Sequence, residues 1–388
     1  MKTLAIFLLC LFLSACATSL PPPPSPLQLA DDSRFGPPNE AINPEELFTL
    51  SPEMRNYVRS PVFANHIRNK GERGLIEALY QKGELKLEYD SSRTRNAAET
   101  FAAKSGNCLS LVIMTAAIAK ELNMQVFYQN VMVDETWSRK NGLYFASTHV
   151  NLTFGRRSTE QIHSYDAGIT MLTVDFLPAE DVAGYRTHTV DEGTLIAMYM
   201  NNKAAEAIAQ DRLNDAYWWA RRAAIEHPAY ITAYNTLGVV YQRHGDHALA
   251  ERAFRLALER EPQNLVTMQN LVPVLTAQGK TVEAKALQTK IASIEPFPPF
   301  YYFDLGTKAM AAHDWAKAKT LFSKEVARMP YYHEFHFWLG LSMFMLGEQG
   351  DAREQLNLAI ETSTSPDNRN RYAAKLAHLR SLAPNRFN

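Results

Sequence analysis

Two patterns of apolar and small positions divide this chain. Beyond about residue 197 they recur every 34 residues: Ala216, Ala250, Ala284, Ala318 and Ala352 share one position, and Pro228, Pro262, Pro296 and Pro330 another. Gly238, Gly306 and Gly340 share a third, where Val272 is the exception. Small residues at fixed positions let paired helices approach closely, and a proline after the second helix stops it. Stacked units of this length bury a core that no single unit buries alone. Residues 61–191 repeat nothing. Their first part reads as helix, in "RGLIEALYQKG", in "TRNAAETFAAK" and from Cys108 to about Leu122. Three strand-like segments follow, "MQVFYQNVMV", "STHVNLTF" and "ITMLTVDFL". Helices ahead of a small antiparallel sheet predict an α+β domain, followed by an all-α solenoid.

The period of 34 resembles the tetratricopeptide repeat. In one unit the match extends to Tyr234, Leu237, Gly238, Tyr241, Ala250, Phe254, Ala257 and Pro262. Five repeats are expected over residues 197–366, with a capping helix and tail at 367–388, because a solenoid needs a polar-faced end. The usual geometry of the resemblance places Phe300, Phe303, Met310, Phe337, Leu341 and Phe344 in the concave groove of repeats four and five. There they would bind a protein or peptide; packing inside the stack or beneath the last helix is the alternative.

The N-terminus follows a different rule. Lys2, an apolar run over residues 4–13 and Leu13-Ser14-Ala15-Cys16 describe a secretory signal over residues 1–15. The run is shorter than the roughly 20 apolar residues of a spanning helix. Leu-Ser-Ala-Cys resembles the bacterial lipobox, which implies lipid on Cys16 and, with Ala17 next, the periplasmic face of the outer membrane. The lipid would be the chain's one membrane contact. Residues 16–60 are rich in proline and read as a tether, with a short helix near 44–57. Extended at roughly 3.1 Å per residue, its proline-rich part would reach about 90 Å.

Composition narrows the field further. Lys and Arg number 40 against 41 Asp and Glu, so no basic surplus points to nucleic acid. The histidines lack ligand spacing, and there is no phosphate-binding glycine loop or nucleotide motif; neither a metal nor a cofactor is expected.

Of three cysteines, Cys10 leaves with the signal and Cys16 carries lipid, so Cys108 has no disulfide partner in an oxidising compartment. It is either a small buried hydrophobe or a nucleophile. Ser105 or Asn107 is placed to cap the helix that Cys108 begins. Free backbone N–H groups and the helix dipole favour a thiolate there, and the same N–H groups favour an oxyanion. A base is available in "THVNLTF", where Val150, Leu152 and Phe154 alternate with His149, Asn151 and Thr153. The first set faces a core and the second a cleft or solvent. In "TMLTVDFL" the same alternation sets Asp175 opposite Leu172, Val174 and Phe176. Antiparallel pairing would bring Asp175 to His149; Asp166, in "IHSYDAG", is the alternative and needs a shorter hairpin. Asn107 and Asn151 read as a cap and a solvated strand position.

A cysteine opening a helix, then "HVN" and "VDF" on successive strands, resembles the transglutaminase-like superfamily of papain-type folds. The resemblance runs from about Thr94 to Pro178. It implies Cys108 as nucleophile, His149 as general acid/base and Asp175 as orienter. Leu109 stands where many transglutaminases carry an aromatic residue, and the connection from His149 to Asp175 is long. Both departures point towards peptide or amide hydrolysis or transfer through a thioester, rather than Gln–Lys cross-linking. A domain that only packs, in a scaffold for envelope assembly, is the competing expectation.

Overall fold

The computed structural model describes residues 28–80, 87–91, 93–140, 143–155, 172–176, 186–297, 300–363 and 366–382, apart from the side chains of 132–148. Cys16 and Asp166 lie outside the described residues. Among those described, no helix is long and apolar enough to cross a membrane.

Helices α1 (Pro52–Val58), α2 (Pro61–Lys70) and α3 (Glu72–Tyr80) come first. Ser51 and Ser60 cap α1 and α2, each ahead of a proline whose missing N–H costs nothing in a first turn. Then follow β1 (Glu88–Tyr89), α4 (Ala97–Ala103), β2 (Ser105–Gly106) and α5 (Cys108–Glu121). Asn96 and Glu99 form a capping box at α4, satisfying two end donors reciprocally. In α5 every residue from Leu109 to Ala119 is buried, so this helix is surrounded by protein.

Strands β3 (Gln125–Lys140), β4 (Leu143–Gly155), β5 (Leu172–Val174) and β6 (Arg186–Val190) make an antiparallel sheet in the order β5-β4-β3-β6. β1 and β2 pair in parallel. Neither β6 nor the parallel pair is visible in the periodicity, because both pair segments that are too short or too polar to alternate.

The rest is helical. Five helix pairs run α6 (Glu192–Ala209) and α7 (Leu213–Glu226), α8 (Thr232–His244) and α9 (His247–Arg260), and α10 (Leu265–Ala277) and α11 (Thr281–Ile294). The last two pairs are α12 (Tyr301–Ala311) with α13 (Trp315–Arg328), and α14 (His333–Met345) with α15 (Gln349–Glu361). Helix α16 (Pro366–Leu382) follows. The repeated glycine has a steric cause: a Cβ at Gly238 would stand 2.5 Å from the Phe254 ring, and one at Gly306 2.6 Å from Phe322. In the third pair Val272 faces no such ring, since the position 34 after Phe254 is Gln288. The apolar core divides near this pair. One cluster runs from Leu29 to Ala284, and a second is centred on Phe300, Phe303, Phe322 and Phe335.

The expected tether over residues 16–60 needs correction. Residues 28–45 are docked as a strap across the first repeats, with Leu29 and Phe35 buried; Leu47 and Leu50 are buried as well, the Leu47 carbonyl accepting from the Ala97 N–H of α4. Phe35 stacks on Tyr217 with ring centroids 4.0 Å apart. The Tyr241 hydroxyl donates to the Leu29 carbonyl at 2.5 Å, and Trp218 Nε1 donates to the Gly36 carbonyl at 2.6 Å. Asp215, fully buried, accepts from the Asn39 backbone N–H at 2.6 Å and pairs with Arg212. Burial would push its carboxyl up, but the Asn39 and Arg212 donors hold it below its ordinary value. The strap supplies its aromatic ring and carbonyls to tyrosines and tryptophans that would otherwise meet water, so free reach is lost over its length.

Candidate functional site

Asn107 is the N-cap of α5; its Oδ1 accepts from the Ser110 N–H at 2.9 Å. Its Nδ2 donates to Thr94 Oγ1 at 2.9 Å, and the Thr94 N–H donates to Glu206 of α6 at 2.6 Å. The first repeat helix is thus tied, through Thr94, to the cap of the Cys108 helix. Gly106 is required at the approach, since a Cβ there would stand 2.7 Å from Ser110 Cβ. Cys108 is a free, half-buried thiol in the first turn, where backbone N–H groups have no helical acceptor.

The sheet positions His149. In β4, Val150, Leu152 and Phe154 are 2 % exposed or less; His149 and Asn151, on the opposite face, are 5 % and 4 % exposed. That face is therefore not a solvated one. β5 pairs with β4 in the register Leu152 opposite Val174, which puts Asp175 just past the strand end beside Asn151 and His149. His149 Nε2 and Asp175 Oδ1 are 2.6 Å apart. Asn151 Nδ2 donates to Asp175 Oδ2 at 2.9 Å, so both carboxylate oxygens are engaged. The Cys108 side chain neighbours the same ring and favours its charged form.

Electrostatics follows this geometry. Burial pulls the His149 pKa down, but the hydrogen bonds to Asp175 and Cys108, with the negative charge on both partners, raise it to about 9. An imidazolium between a carboxylate and a sulfur is the arrangement that activates a thiol nucleophile and returns a proton to a leaving group.

Two residues here escaped the sequence reading. Asn151 is an orienting group for Asp175 instead of a solvated position, and its place beside His149 in the alternation was the available signal. Tyr89 lies near the same cluster, where burial and the charges of Cys108, Asp90 and Asp175 push its phenol well above the ordinary value. A two-residue strand carries no periodicity, so no pattern marks it. His163 lies outside the described residues, and His188 on β6 faces Asn130 at 3.5 Å.

Of the six expected groove residues, two are buried and four are half-buried against neighbouring helices. Phe300 is fully buried and Phe303 is 9 % exposed, with Met310 packed on the same cluster. Phe337, Leu341 and Phe344 pack instead with Leu356, Leu376 and Leu379, the last two from α16. Phe337 stacks on Tyr372 of α16 at 4.6 Å. Large apolar side chains at these positions have more to gain from neighbouring helices than from waiting for a ligand.

Residues 231–264 match the tetratricopeptide repeat family model. No curated protein matches the chain. Among solved structures it is similar to YrrB, titled a TPR protein with an unusual peptide-binding site, at 19 % identity over 46 % of this chain and 92 % of that one, with a TM-score of 0.25. A thermophilic TPR protein of Thermus thermophilus, TTC0263, shows 19 % identity over 47 % and 99 % of the two chains, with a TM-score of 0.32. MamA shows 15 % identity over 44 % and 92 %, with a TM-score of 0.25. Scores this low add nothing to the fold read from the helix pairs themselves. The chain contains a tetratricopeptide repeat region, and repeats of that kind support protein or peptide binding.

Proposed function

We propose that this chain is a cysteine amidase or peptidase of the transglutaminase-like type, carried on a lipid anchor at Cys16 on the periplasmic face of the outer membrane. Cys108 attacks the carbonyl carbon, His149 shuttles the proton and Asp175, steadied by Asn151, holds the imidazole. The repeats recruit the protein that presents the amide. One observation carries the reading: His149 bonded to the Asp175 carboxylate at 2.6 Å, with the Cys108 side chain beside the same ring. Both ring nitrogens of a buried histidine call for partners; here the neighbours are a thiol and a carboxylate, in the nucleophile–base–acid order that acyl transfer requires.

A thiol reagent tests this on the whole protein. Iodoacetamide should alkylate Cys108 in the folded state at neutral pH, and hydrolysis of a periplasmic peptide substrate should vanish in Cys108→Ala. Alkylation that begins only in denaturant would leave a binding scaffold. The anchor is tested separately: Cys16→Ser should leave the membrane fraction.

A further inference from the structure

A chain of hydrogen bonds runs from the first repeat to the start of the Cys108 helix. Thr94 is 1 % exposed and stands two residues ahead of the Asn96 cap of α4. Its N–H donates to Glu206 Oε1 of α6 at 2.6 Å, and its hydroxyl oxygen accepts from Asn107 Nδ2 at 2.9 Å. Asn107 Oδ1 in turn accepts from both the N–H and the hydroxyl of Ser110 at 2.9 Å. The neighbouring Arg95 N–H donates to Ser110 Oγ at 2.8 Å, so the same segment grips the first turn of α5 twice. We propose that Glu206 is a positioning residue for Cys108: a side chain of the repeats that sets the placement of the nucleophile through Thr94 and the cap residue Asn107. This rests on the nucleophilic role of Cys108 and extends its site into the first repeat.

The reason lies in what holds each reacting group. His149 is carried by β4 and fixed through Asp175 and Asn151, all within the sheet. Cys108 is carried by a helix, so its approach to the imidazole depends on what holds that helix. Burial of residues 109–119 holds α5 as a body, whereas the cap holds the first turn, where Cys108 lies. Both ends of the Asn107 amide are engaged, one by Ser110 and the other by Thr94, and this leaves its plane one orientation. Glu206 fixes Thr94 from the far side. A displacement of about 1 Å at a reacting atom can cost about 100-fold in rate, even when its origin is remote.

The surroundings of Glu206 suit a fixed acceptor. Burial pushes its carboxyl above the ordinary value, against the Thr94 N–H and the charges of Lys203 and Arg93. Lys203 is 6 % exposed and lies 3.6 Å from Glu40 of the strap, so strap, repeat and site loop meet here. The Thr94 N–H needs only an oxygen to accept it. Glutamine supplies one as glutamate does, and alanine does not.

Alkylation of Cys108 by iodoacetamide in the folded full-length chain reads the effect. Glu206→Ala should slow it about 10-fold at neutral pH, and Glu206→Gln should restore it to within about twofold of the parent. The loss should run through the Thr94 hydroxyl. In a Thr94→Val background, which keeps the N–H, Glu206→Ala should cost no more than about twofold further. An earlier urea midpoint with unchanged alkylation would make Glu206 a structural contact and overturn the proposal. A loss that glutamine fails to restore, or one that adds in full to that of Thr94→Val, overturns it too. Should Glu206→Ala fail to fold, Thr94→Val alone should slow alkylation by a similar factor, and an unchanged rate again overturns the proposal. If the parent reacted only in denaturant, the nucleophile reading would fall, and hydrogen exchange at the Ser110 N–H would tell the two failures apart. Faster exchange in Glu206→Ala keeps the route from the repeats to the cap; unchanged exchange overturns that as well.

Discussion

The sheet region and the C-terminal end of the repeats each enclose a histidine, and the two are driven in opposite directions. His149 sits on β4 between Asp175 and Cys108, and its pKa rises to about 9 although burial opposes it. His333 begins α14 and is bonded through Nδ1 to the Tyr372 hydroxyl at 2.8 Å. There burial, helped by the charge of Arg371 and the neighbouring His336, lowers the pKa to about 4. Burial disfavours the charged form at both places; the partners decide the outcome. A carboxylate and a sulfur favour the charged form of one histidine. A phenol leaves the other neutral, a packing element beneath a cap.

The largest test of this contrast is reactivity. His149→Ala should slow alkylation of Cys108 near neutral pH by about 100-fold, the scale of a lost general base. His333→Ala should leave that rate unchanged. Comparable slowing in both would mean that Cys108 responds to global loosening and not to its neighbour.

Stability against pH should show the same opposition, with signs fixed by linkage. From about pH 6.5 to 9 the folded chain holds a proton on His149 that the unfolded chain has released. Its contribution is therefore complete below 6.5 and is lost as pH rises through 9. From about 6.5 down to 4 the unfolded chain protonates His333 while the folded chain does not, so stability falls as pH drops through that window. Each limb is worth on the order of a few kcal/mol at most. Urea unfolding across this range should show His149→Gln flattening the alkaline limb and His333→Gln the acid limb. If either substitution acted on the opposite limb, its assigned direction would be wrong.

Smaller effects sharpen the distinction between cap and open surface. Tyr372→Phe removes the hydroxyl from His333 and leaves a buried ring nitrogen without its partner, a cost of about 1–2 kcal/mol. Tyr331, 68 % exposed, lies just ahead of the same histidine in the chain. Tyr331→Ala should change stability by no more than about 0.5 kcal/mol. A cost for Tyr331 as large as that for Tyr372 would place both in one packed unit.

Much of this architecture is local and therefore legible in the chain alone. The 34-residue spacing of alanine, glycine and proline follows from helix pairs too close for a side chain at Gly238 or Gly306. Asn107 and the glycine before it mark the start of the Cys108 helix, and the alternation in "THVNLTF" separates His149 and Asn151 from Val150, Leu152 and Phe154. Such signals need only neighbours within a turn or a strand. Other features depend on which distant surfaces meet. Phe35 lies in a proline-rich stretch that composition assigns to solvent, yet Tyr217 offers it a ring, and apolar burial binds the strap down. Phe300 and Phe337 have the spacing of groove residues, but the second core cluster encloses one and α16 covers the other. Asn151 became an orienting group only when β5 brought Asp175 beside it. Tyr89 carries no pattern at all. A parallel pairing of two residues, with the Asp90, Arg95 and Ser110 contacts beside it, sets its strand against the one that leads into the Cys108 helix. Sequence determines the groups with local causes; long-range pairing, which no local period encodes, decides which of them share a site.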